Sequence, residues 1–103
     1  MTSKHDTLVE LVVEELKVRG YTDIHKFEDY KSKGYSGEID LYTITDNYIL
    51  LFEIKCTPRG RHERKAREQL DRATEYFLPK DKRVFKFYVY GCGKDDYHIV
   101  WER

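Results

Sequence analysis

GEIDLYTITDNYILLFEIK, residues 37–55, decides how the chain folds. Two runs rich in β-branched and aromatic residues flank Asp46-Asn47, a pair suited to the positive φ angles of a tight turn, so the stretch reads as a β-hairpin. With Asp46-Asn47 as a two-residue turn, Thr45 faces Tyr48 and Ile44 faces Ile49. Carried down the ladder, the same register sets Asp40 opposite Glu53 and Glu38 opposite Lys55. Alternation puts Asp40, Tyr42, Ile44, Ile49, Leu51, Glu53 and Lys55 on one face, and Ile39, Leu41, Thr43, Leu50, Phe52 and Ile54 on the other. Both faces are apolar for most of their length, which predicts that both are covered.

Facing carboxylates in such a pair repel one another and resist desolvation. Two readings fit them. The charges fringe a solvated end of the hairpin, or a divalent cation held by oxygen ligands sits between Asp40 and Glu53, with Lys55 as the neighbouring fixed charge. The register match, and the Glu53-Ile54-Lys55 triplet in an otherwise apolar run, favour the second.

Outward from the hairpin, residues 3–19 predict an amphipathic helix. Ser3 and Asp6 make a capping-box-like start, Val9, Val12, Val13 and Leu16 form the buried stripe, and Gly20 follows the last turn. Glu10 and Glu14 flank the stripe and can reach a site beneath the helix. Ile24 to Tyr30 is a first strand, with KSKGYS (31–36) as a polar connector. Beyond the hairpin, residues 57–64 form a loop with Pro58 and Gly60, and a second helix spans 61–77 with Ala66, Leu70, Ala73, Tyr76 and Phe77 as its apolar stripe. Gln69 falls on that stripe and needs hydrogen-bond partners, either at a site or at the edge of the helix. Between Arg59 and Arg72 the chain carries a net +3, from Arg59, Arg61, Arg64, Lys65, Arg67 and Arg72 against three acids. Leading straight out of the strand with Glu53 and Lys55, this segment suits phosphate contacts, although solvated helix charge explains part of it. Residues 84–90 predict a buried strand, Gly91 to Asp96 a turn, and residues 97–101 an edge strand.

The 103 residues are enough for a single domain with a modest core. A 40% hydrophobic and 37% charged composition describes a globular chain with a heavily charged surface. The formal net charge of +0 excludes a strongly basic nucleic-acid coat but leaves room for local patches. Cys56 and Cys92 are too few for a disulfide framework and lack metal-finger spacing. No apolar run approaches membrane-spanning length and MTSKHD lacks a signal-peptide pattern, so a cytoplasmic location and no membrane partner are expected.

The order of these parts resembles the PD-(D/E)XK nuclease superfamily, and within it the small archaeal Holliday-junction-resolvase-like and restriction-endonuclease-like proteins. A helix with a glutamate is followed by Asp40 in a GEID lead-in, by Glu53-Ile54-Lys55 on the next strand, and by a helix carrying Lys65 and Gln69. The likeness covers residues 4 to 90, with Ile39 in place of the motif's proline. It implies an α/β restriction-endonuclease-like core, α-β-β-β-α-β(-β), with a mixed sheet flanked by helices. It also implies a metal-dependent endonuclease acting on DNA, structure-selective in the manner of a junction resolvase, that pairs as a homodimer. In that scheme Asp40 and Glu53 bind Mg²⁺ or Mn²⁺ together with the Ile54 carbonyl. Glu10 (or Glu14) completes or orients the metal shell, Lys55 positions the attacking water and stabilises charge on the phosphate, and Gln69 supports the site. Arg59, Arg61, Arg64, Lys65 and Arg67 contact the DNA backbone. A non-catalytic nucleic-acid-binding or interaction module on the same fold is the alternative; nine tyrosines and an edge strand would suit an interface.

Overall fold

The computed structural model describes residues 3–32, 34–57, 63–77, 81–93 and 96–102. The elements are α1 (Lys4–Val18), β1 (Ile24–Ser32), β2 (Tyr35–Ile44), β3 (Tyr48–Lys55), α2 (Glu63–Phe77), β4 (Arg83–Gly93) and β5 (Asp96–Glu102). The strands form one open five-stranded sheet in the order β1-β2-β3-β4-β5. All neighbours are antiparallel except β3 and β4, which run parallel. A parallel pair needs a long crossover, and α2 supplies it. The chain is therefore an α/β protein with a mixed sheet between two helices, in the element order expected from the sequence.

Each helix covers one face. Leu8, Val9, Val12, Val13 and Leu16 of α1 are buried with Leu41, Leu50, Phe52, Ile54 and Val89. Leu70, Ala73 and Phe77 of α2 are buried with Tyr30, Ile39, Tyr42, Ile49 and Leu51. As a result β3 is buried along its whole interior. Ser3 caps α1, its Oγ accepting the Asp6 N–H at 3.1 Å, and this satisfies one of the free donors at the helix start.

The hairpin register is the expected one: Ile44↔Ile49, Thr43↔Leu50, Tyr42↔Leu51 and Leu41↔Phe52. The turn differs, because neither Asp46 nor Asn47 has positive φ. Thr45 closes it instead, with its Oγ1 accepting the Tyr48 N–H at 3.0 Å while its carbonyl accepts from Lys82 Nζ at 2.7 Å. Regular β2–β3 pairing stops at Leu41↔Phe52, so Glu38 is not the ladder partner of Lys55; it pairs with Asp29 of β1.

Strict alternation also fails at Ile39, which packs under α2 and not with Leu41. The cause lies opposite, in β1. Phe27 takes the left-handed φ of 52°, which a non-glycine residue rarely adopts, and the β1–β2 ladder skips the Phe27/Asp40 position. Two further expectations shift. The polar connector 31–36 is mostly strand, with Lys31↔Ser36 and Ser32↔Tyr35 paired and Gly34 at φ 82°. The expected turn at Gly91 is a continuation of β4, with an irregularity between Gly91 and Gly93.

Gly37 pairs with Tyr30, and a Cβ on Gly37 would lie 2.8 Å from the Tyr30 hydroxyl and 2.9 Å from the ring. The Tyr30 ring is buried and has little room to retreat. Gly37→Ala should therefore lower stability by about 1–3 kcal/mol through overpacking. An unchanged denaturation midpoint would show that the ring moves aside freely.

Candidate active site

The irregularity at Phe27 frees Asp40 for a different task. Paired regularly with neither neighbour, Asp40 turns its carboxylate to the backbone of β3, where Oδ2 accepts the Ile54 N–H at 2.8 Å. Glu53 follows by alternation from Leu51, at the carboxyl end of β3, where that strand runs beside β4 through Glu53↔Tyr88 and Lys55↔Tyr90. Carboxyl ends of parallel strands are common ligand positions in open α/β sheets.

The two acids are brought together in a nearly dry place. The side chains of Asp40 and Glu53 are 8% and 7% exposed. Burial, then the neighbouring Asp40 carboxylate, push the Glu53 carboxyl from its ordinary 4.5 up to about 8, and a hydrogen bond between the two carboxyls adds to this. Lys55 pulls the other way, with Nζ 3.3 Å from Glu53 Oε1. Its ammonium does not fully offset the pair, so at neutral pH the cation-free site holds a proton on Glu53.

A histidine completes the cluster. Nε2 of His5, in the first turn of α1, donates to the Ile54 carbonyl at 2.9 Å and lies 3.4 Å from Asp40 Oδ2. Its Nδ1 lies 3.4 Å from the Asp6 carboxylate. The sequence carried a signal for it, since His5, Leu8, Val9 and Val12 follow the i, i+3, i+4, i+7 period of the buried stripe. Extended by one turn, that stripe reaches the site through His5.

The first-helix glutamates lie elsewhere. Glu10 is half exposed and pairs with Lys26 of β1, and Glu14 pairs with Lys17 on the surface at 3.6 Å. Gln69 is on the sheet-facing side of α2, as expected. Its Oε1 is buried without a hydrogen-bond partner among the described residues, so it accepts no hydrogen bond at the two acids. Arg59 and Arg61 lie outside the described residues. Arg64 and Arg67 form i,i+4 pairs with Glu68 and Glu63 at 3.7 and 3.4 Å, and Lys65 is exposed. Asp71 takes Lys86 of β4 at 2.6 Å. Part of the positive charge counted along the sequence is thus met within α2 itself, although exposed pairs of this kind bind weakly and yield readily to a stronger anion.

Among the described residues no three histidine, cysteine, aspartate or glutamate side chains converge as a metal cage. Two carboxylates and a backbone carbonyl nevertheless fit a hard divalent cation, which binds oxygen and fills its remaining positions with water or substrate phosphate. The proton that Glu53 retains beside Asp40 supports that fit, since a cation could take its place between the two acids. No helix among the described residues is long and apolar enough to cross a membrane. No protein-family model matches the chain, and a search of curated proteins finds no match.

Proposed function

We propose that the protein is a divalent-cation-dependent nuclease that hydrolyses DNA phosphodiester bonds, an endonuclease on a restriction-endonuclease-like core of the PD-(D/E)XK kind. One observation carries the reading: the buried Asp40–Glu53 pair with Lys55 at 3.3 Å, at the end of a strand whose next backbone carbonyl is also within the cluster. A structural ion pair does not need a second carboxylate pressed against the first, at a cost in desolvation. A cation site does.

Asp40, Glu53 and the Ile54 carbonyl would hold Mg²⁺ or Mn²⁺, with His5 poised beside two of these groups. Bound there, the cation supplies positive charge to phosphate oxygens on which negative charge develops. Lys55 stabilises the same charge from the side of Glu53 and orients the attacking water. The Lys55 side chain is 22% exposed, so its charge sits in a partly desolvated setting where it acts more strongly than in bulk water. The Ile54 N–H holds the Asp40 carboxylate in place, so the acid is oriented before substrate arrives. Nothing in this cluster reads a base, which leaves sequence recognition outside the chemistry.

Incubating labelled linear, single-stranded and four-way-junction DNA with the protein in Mg²⁺, Mn²⁺ or EDTA tests the proposal. The expected result is cutting that needs the metal. No products on any substrate, with salt-sensitive binding retained, would instead make the protein a DNA-binding module on the same fold.

A further inference from the structure

On the α2 side of the sheet, the end of the β1–β2 hairpin and the last turns of α2 enclose an open cleft of about 640 Å³. Asp29, Tyr30, Lys31, Ser36, Gly37 and Tyr76 line it. Its volume falls within the range of roughly 300–1,000 Å³ that accommodates drug-sized ligands. The aromatic wall is Tyr30 with Tyr76, whose ring centroids lie 6.0 Å apart at an interplanar angle of 46°. The missing side chain of Gly37 allows the Tyr30 ring to lie against β2. Lys31, Ser36 and Asp29 are exposed at the rim and supply a cation, a hydroxyl and an acceptor.

The cleft adjoins the carboxylate site. Gly37 is three residues before Asp40, about 10 Å along an extended strand. The Tyr30 hydroxyl is pushed up by burial, pulled down by Arg72 and pushed up by Glu53, so it lies within electrostatic reach of one guanidinium and of the site's own acid. A strand of nucleic acid with a phosphate at Lys55 therefore has a neighbouring nucleotide beside this cleft.

We propose that the cleft takes one unpaired nucleotide next to the scissile phosphate, its base stacked on Tyr76 and its backbone met by Lys31. This rests on the nuclease reading and adds a substrate class to it. An aromatic face beside cations suits an unstacked base of any identity, whereas a base inside a continuous duplex is already stacked on both sides and cannot enter. The preferred DNA is then one that offers an unpaired nucleotide at the cut, such as a single strand, a flap or an opened branch point, over unbroken duplex.

The test is fluorescence anisotropy in EDTA, where metal-dependent cutting is off, with a labelled single strand and the blunt duplex of the same sequence. The proteins are wild type, Tyr76→Ala, Tyr76→Phe and Ser36→Trp, the last filling the cleft from its exposed rim. Loss of one base–aromatic stack predicts single-strand binding weaker by about 5- to 150-fold in Tyr76→Ala. Duplex binding should stay within about twofold, and Tyr76→Phe should behave as wild type, since it keeps the ring. Ser36→Trp should also weaken single-strand binding, and it decides the matter if Tyr76→Ala does not fold. Unchanged single-strand affinity in the folded variants, or an equal loss on duplex, would overturn the proposal. The same wild-type and variant preparations are assayed for cutting of the single strand in Mg²⁺. Strand-selective binding without any cutting would sink the nuclease reading and spare the cleft, and cutting that is indifferent to Tyr76 and Ser36 would do the reverse.

Discussion

Lys55→Ala is expected to reduce metal-dependent cleavage by about 10²–10³-fold, the usual cost of removing one donor aimed at developing transition-state charge. The fold should survive, because Lys55 lies at the end of β3 and pairs with Glu53, an interaction that only tempers the acid pair. Its removal leaves Glu53 with Asp40 as the dominant neighbouring charge, so the Glu53 carboxyl should hold its proton to still higher pH. Two consequences separate a catalytic role from a structural one. Circular dichroism and the melting profile near pH 7 should match wild type, and in EDTA the pH range over which stability falls should shift upward. Cleavage at the wild-type rate in a folded Lys55→Ala protein would remove the central element of the nuclease proposal.

The second large effect concerns stability and pH in the absence of divalent cation. Glu53 titrates near 8 in the folded protein and near its ordinary 4.5 when unfolded. Between these values the folded state binds the extra proton, so raising the pH destabilises it. The contribution from this group is fully present below about pH 4.5 and is lost as the pH rises through about 8. Integrated over that window it is of order a few kcal/mol. In EDTA the wild-type melting temperature should therefore fall between pH 5 and pH 9 relative to Glu53→Gln, which carries no titrating proton. The two curves should converge toward acid pH and separate with Glu53→Gln the more stable at alkaline pH. Adding Mg²⁺ or Mn²⁺ to wild type should reduce the difference, because a cation neutralises the pair without the proton. Parallel curves across the whole range would mean that Glu53 is not held in its protonated form.

Both effects trace to a hairpin whose essentials are written in residues 37–55. Period-two alternation and a short turn specify which residues face each other, since a slip of one position would move every side chain to the wrong face. Leu41↔Phe52 through Ile44↔Ile49 form as that pattern requires, and Asp40 and Glu53 come together at the end of it. The two helices were legible for the same reason, as apolar stripes at helical spacing, and the parallel β3–β4 pair follows from a helix lying between two strands.

What the linear pattern does not contain is the set of contacts made across long separations by residues with ordinary local preferences. The left-handed Phe27 breaks the β1–β2 ladder opposite Asp40, and no turn residue announces it. The sequence placed Asp46-Asn47 in a positive-φ turn, whereas Thr45 and Lys82 satisfy the same backbone groups by other bonds. His5 meets Ile54 across 49 positions, while Glu10, on the flank of the same helix, is drawn to Lys26. The sequence by itself determined the strands, the helices and the hairpin register from Leu41 to Ile49, because each depends on a local period and a short loop; the two acids meet without the ladder pairing that this register extrapolates to. Only the tertiary structure decided which α1 side chain reaches those acids, how deeply they are buried, and that a tyrosine-walled cleft opens beside them. Those outcomes depend on how separate elements dock, and docking is set by the summed shape of faces that no single stretch of chain specifies.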